Sequence, residues 1–136
     1  MDKYLIIKTR DELLRIKTSQ ILYFEADRNY TKLVLANGIQ FTFALNMGKV
    51  IEMLETQMAG NFLVRVGKSH IVNKNHVMQI NLPHQRLMLL TEDNKLKELI
   101  LSKDPLKALK DTIEREHGKS NEPQTRNNDA QDRKSE

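Results

Sequence analysis

Three short polar segments hold most of the side chains that could do chemistry: Asp27-Arg28-Asn29-Tyr30-Thr31-Lys32, Gly67-Lys68-Ser69-His70 and Leu101-Ser102-Lys103. Each carries a cation and small hydrogen-bonding groups between apolar runs. The second is the most distinctive, because Phe62 to Val66 and Ile71 to Asn73 flank it and Arg65 stands just before it. A turn projecting donors and cations from a β scaffold suits an anionic, structured partner. Loops on a rigid sheet are a common place for binding residues. One such loop alone is an ordinary hydrophilic turn; three in one small basic domain point to a shared surface.

Catalysis has no comparable support. His70, His76, His84 and His117 show no metal-ligand spacing and are expected to be ordinary surface or strand histidines. Glu25 and Asp27 share a strand face, but a solvated pair or a salt bridge to Arg28 explains them better than paired acid–base carboxylates. No nucleophile elbow, phosphate loop or dinucleotide fingerprint is present. With no cysteine, thiolate zinc sites, disulfides and cysteine nucleophiles are excluded. The chain is therefore not expected to be an enzyme, and no cofactor or metal is called for.

The 136 residues suggest one domain and a tail. Residues 1–117 carry 18 Lys+Arg against 14 Asp+Glu, while residues 118–136 carry four of each, so the +4 net charge belongs to the domain. A mildly basic domain fits an encounter with phosphates. The 118–136 segment has no Leu, Ile, Val, Phe, Tyr or Met and is expected to be a disordered polar tail. No apolar run approaches the roughly 20 residues that span a bilayer, nor a signal peptide. A soluble, cytoplasmic protein is expected, with no membrane partner.

The elements that must position the three loops are mostly short strands. Tyr4 to Thr9, Glu12 to Ile16, Gln20 to Ala26, Thr31 to Ala36 and Ile39 to Phe43 are predicted first. Asn37-Gly38 joins the last two, a strong hairpin signal. A helix is predicted over Gly48 to Met58, with Asn46 as N-cap and Gly60 as C-cap, and Met47, Met53 and Met58 read as core filling. Strands resume at Phe62 to Val66, His70 to Val72, Val77 to Leu82, Arg86 to Thr91 and Leu96 to Leu101. A final helix follows, with Ser102 as its cap, Pro105 in its first turn and an apolar stripe of Leu106, Leu109 and Ile113.

Over about residues 3–116 the chain resembles a DNA-binding domain of the LytTR type (LytR/AlgR family), the effector module of many bacterial response regulators. Ile21-Leu22-Tyr23-Phe24-Glu25-Ala26 followed by Asn29-Tyr30 is similar to the family's I-x-Y-I-E-A strand and its N-Y. Phe62 through Asn73 is similar to its F-x-R-I-H-R-S-Y-I-V-N run. Leu101-Ser102-Lys103, with Leu106 and Leu109, is similar to its V-S-R strand-to-helix junction.

The resemblance implies an all-β fold of about ten short strands in small antiparallel sheets, with one connecting and one C-terminal helix. It further implies a bacterial transcription regulator that binds promoter DNA by inserting loops into successive major grooves. Carried onto this chain, Asn29, Tyr30 and Thr31 are expected to face DNA from the first loop, with Arg28 beside them. Lys68 serves from the second loop and Lys103 from the third. Ser69 is expected to support a phosphate contact, and Arg65 either binds phosphate or forms a structural ion pair. A second copy on paired half-sites, and a separate signalling protein, are the further partners implied.

Two departures bear on specificity. Gly67-Lys68 replaces the family's usual His-Arg, and Ser102-Lys103 its usual Ser-Arg. Arginine offers a planar fork to guanine O6 and N7, where lysine is a flexible point charge, so softer base discrimination is expected. Because Met1 lies directly before the first strand, the module is expected to stand without a receiver domain and either to take its dimerisation and signal from elsewhere or to act constitutively; the other reading is a fragment cut from a longer protein. The alternative is a protein-interaction module that kept the fold and lost specific DNA binding.

Overall fold

The computed structural model describes residues 3–57 and 59–120. Among the described residues, ten strands and two helices run in the order β1 (Tyr4–Lys8), β2 (Leu13–Lys17), β3 (Ile21–Asp27), β4 (Tyr30–Leu35), β5 (Gln40–Phe43), α1 (Met47–Thr56), β6 (Leu63–Val66), β7 (His70–Asn73), β8 (Val77–Asn81), β9 (Arg86–Leu90), β10 (Leu96–Ile100) and α2 (Lys103–Ser120). All strand pairs are antiparallel. A central five-stranded sheet, in the order β5-β4-β3-β7-β6, lies between a two-stranded hairpin (β1-β2) and a three-stranded sheet (β10-β9-β8). This is the all-β architecture that the sequence predicts.

The central sheet is buried on both faces, and strand alternation sorts its side chains between two cores. Phe24, Leu33, Phe43 and Ile71 face the β1-β2 hairpin and α1, packing with Leu5, Ile7, Val50 and Leu54. Tyr23, Val34, Val66 and Val72 face the three-stranded sheet and α2, packing with Leu87, Leu89, Leu99, Leu106 and Leu109. The apolar run at the start of β3 serves both sides because the register shifts between Ile21 and Tyr23. That irregularity sends the consecutive residues Leu22 and Tyr23 into the same core.

The helix ends show where local signals hold and where they yield. Asn46 caps α1 by accepting the Lys49 N–H at 3.0 Å, as its residue type favours. At the other end α1 stops at Thr56, not Met58, and Gly60 falls in a 3-10 turn over Ala59–Asn61 instead of capping the helix. Just past that end, the Gln57 side-chain amide accepts the Ile6 N–H at 2.9 Å and donates to the Ile6 carbonyl at 2.7 Å, tying the helix end to β1. Met58 itself lies outside the described residues. In α2 the Leu106 N–H reaches back to the Ser102 carbonyl at 3.3 Å, and Leu106 and Leu109 are fully buried.

Helix α2 continues through Ser120, so the 117/118 boundary expected between domain and tail falls inside it. The rest of the expected tail, residues 121–136, lies outside the described residues. Among the described residues no helix is long and apolar enough to cross a membrane.

Candidate nucleic-acid interface

The three polar segments meet at one end of the central sheet. The first is the two-residue turn between β3 and β4, where Asp27 pairs with Tyr30 and leaves Arg28 and Asn29 at the tip. Arg28 sits at φ 60°, a left-handed conformation that non-glycine residues seldom adopt. The second is the three-residue turn Gly67-Lys68-Ser69 between β6 and β7, closed by the Val66–His70 pair. It is tied to the first through the sheet, because the Ala26 N–H donates to the Ser69 carbonyl at 2.8 Å. The third, at the junction of β10 and α2, faces the second across an open cleft of about 180 Å³ whose lining includes Lys68, Ser69, His70, Ile100 and Ser102.

Gly67 has a reason to be glycine that its place in a motif does not disclose. Its φ is +73°, and an added Cβ would stand 3.6 Å from Pro105 at the start of α2. The turn thus needs left-handed backbone, which glycine adopts without steric cost, and it rests directly on the helix that begins the third segment. It is this positive φ, and not want of space, that favours glycine at the position.

Besides Arg65, six of the expected contact residues are exposed: Arg28, Asn29, Tyr30, Lys68, Ser69 and Lys103. None of their side chains has a hydrogen-bond or ion-pair partner among the described residues. Asp27 and Asp104 are exposed at the same end, so the surface alternates in sign.

Two expected contacts have other occupations. Thr31 is 0% exposed, and its hydroxyl donates to the Leu45 carbonyl at 2.8 Å. Strand parity explains this: Thr31 shares with Leu33 the face of β4 that α1 and the β1-β2 hairpin cover, while Tyr30 and Lys32 take the other. Thr31 therefore supports the loop from within and does not face a partner. Arg65 forms no ion pair among the described residues; its Nη2 donates to the Lys68 carbonyl at 3.2 Å. It is exposed and braces the second turn from behind.

Glu25 also differs from expectation. It pairs with Lys32 at 3.2 Å and with His70 at 3.5 Å, not with Arg28. The three side chains form one row across β4, β3 and β7, at directly opposed positions. Burial pulls the His70 imidazole below its ordinary range, against the charge and hydrogen bond of Glu25, with Lys32 adding to the lowering. Burial, then Glu25, pushes the neighbouring Tyr23 phenol up. The row was missed from sequence because its members are far apart in the chain; only the alternation of β3 and β7 places them on one face.

No described group of three or more His, Cys, Asp or Glu could hold a metal ion. What the arrangement offers is hydrogen-bond donors and cations on a rigid edge, suited to recognising an anion.

A small all-β module of three antiparallel sheets with two helices is the class that this architecture defines. The family model of the LytTr DNA-binding domain matches residues 11–114, from the first hairpin turn into α2. The chain belongs to the LytTR family. No curated protein is matched by sequence. Among solved structures, a LytTr DNA-binding domain of a methyl-accepting/DNA response regulator from Bacillus cereus is similar, with a TM-score of 0.55 and 19% identity. The similarity covers 81% of this chain and 95% of that one; at that identity it establishes the shared fold. The family is a DNA-binding one and not a family of enzymes.

Proposed function

We propose that this domain is a bacterial transcription regulator, acting in the cytoplasm, that reads promoter DNA by placing its three loops in the major groove. The observation that carries this is the convergence of six exposed, unpartnered polar side chains at one sheet end, in a family of DNA-binding domains. Arg28, Ser69 and the backbone around them serve phosphates. Asn29, Lys68 and Lys103 read base edges, with Tyr30 packing beside them. Two copies occupy paired half-sites spaced by whole helical turns, and a separate signalling protein supplies the input.

The test is selection of bound fragments from the native genome, followed by titration of those fragments across a salt series. Phosphate contacts release counterions, so affinity is expected to fall steeply with salt. Lys68→Ala and Lys103→Ala are expected to lose the preference for selected fragments. A shallow salt slope with no fragment preference would instead favour a protein-interaction module on the same fold. Wild-type affinity in both lysine variants and their double mutant would show that the loops are wrongly assigned.

A further inference from the structure

Eight large apolar side chains are exposed among the described residues, and Ile100 is the most exposed of them at 65%. Single exposed apolar residues are common and usually mean nothing; the position of this one is what separates it. Ile100 is the last residue of β10, with Leu99 and Leu101 on either side turned into the core. Alternation points Ile100 the other way, and it lines the cleft between the second and third loops together with Lys68, Ser69 and Ser102. Leu96, two pleats back on the same face of β10, is also exposed at 49% but does not line that cleft.

We propose that Ile100 is a specificity-determining residue that packs against the 5-methyl group of a thymine in the major groove. The methyl is the one apolar group that a base pair shows in that groove, and apolar side chains are its natural contacts. Isoleucine is stiff at χ1 and loses little side-chain freedom on contact. Its backbone is held by pairing with Arg86 of β9, and the next residue, Leu101, donates its N–H to the Gln85 carbonyl at 3.0 Å. With two lysines as the flanking cations, an apolar contact adds base discrimination that a point charge cannot supply. The inference rests on the three-loop reading above.

The experiment replaces each thymine of a selected fragment in turn by uracil, which removes only the methyl. Binding of wild type, Ile100→Ala and Leu96→Ala is then compared by fluorescence anisotropy. At one thymine position wild type is expected to bind the uracil duplex about fourfold more weakly, the factor that burial of one methyl corresponds to. Ile100→Ala should show no such difference there, while Leu96→Ala should keep it. A wild-type protein indifferent to every replacement, or an Ile100→Ala variant that keeps the wild-type ratio, overturns the inference and leaves the loops standing. A wild-type protein that prefers no fragment overturns both.

Discussion

The two ends of the central sheet use the same kinds of side chain to opposite purposes. At the end away from the loops, asparagine, histidine and glutamine turn inward onto backbone groups. Asn73, 1% exposed, donates to the Ile21 carbonyl at 2.8 Å and accepts the Asn75 N–H at 3.0 Å. His76 places its ring nitrogens 2.9 Å from the Leu90 carbonyl and 3.0 Å from that of Ser19, joining elements far apart in sequence. At the loop end, Asn29, Arg28, Lys68 and Lys103 have no side-chain partner among the described residues. Residue type alone does not distinguish the scaffold from the proposed recognition surface; partnering does.

That contrast breaks most visibly at Asn73. Asn73→Ala strands a buried carbonyl and an amide, so it should destabilise the fold by about 2–3 kcal/mol in chemical denaturation. If binding is measured where the variant remains folded, its affinity for DNA should be close to wild type. Lys68→Ala and Lys103→Ala should do the reverse. Each is expected to cost on the order of 1–3 kcal/mol of specific binding while moving stability by no more than about 0.5 kcal/mol. Equal losses of stability at both ends would erase the distinction.

Thr31→Val sharpens it, because Thr31 lies at the loop end and yet belongs to the scaffold. Loss of its hydrogen bond to Leu45 should cost about 1 kcal/mol of stability, with DNA affinity unchanged once the protein is folded. The smallest effect concerns His70. Its imidazole is harder to protonate when folded than unfolded, so the unfolded state takes up protons first as pH falls below about 6.5. Stability should therefore decline through that range and level off below the folded-state value. His70→Asn should flatten the decline; a decline of unchanged size in the variant would mean that another group causes it.

Most of the scaffold was legible because it rests on local chemistry. Asn37-Gly38 marks a hairpin, and Gly38 adopts φ 93° in it; Asn46 caps its helix as its type predicts. What stayed hidden depends on partners distant in sequence. The tie between the end of α1 and β1 rests on Gln57 reaching a strand 51 residues earlier, which no local signal encodes. Thr31 was misplaced for a different reason: it lies beside a loop and is polar, and those cues outweighed the parity of its strand. The pairing of Glu25 with Lys32 and His70, rather than the nearer Arg28, again follows from sheet register.

Gln57 has one more consequence. An open strand edge presents unpaired amides and carbonyls that can recruit a strand from another chain. The outer side of β1 is such an edge, and the Gln57 amide occupies its central residue with a donor and an acceptor, as a neighbouring strand would. One flexible side chain at a helix end therefore does the work of a missing strand. That edge is thereby closed to strand pairing at Ile6, by a residue that neither core contains.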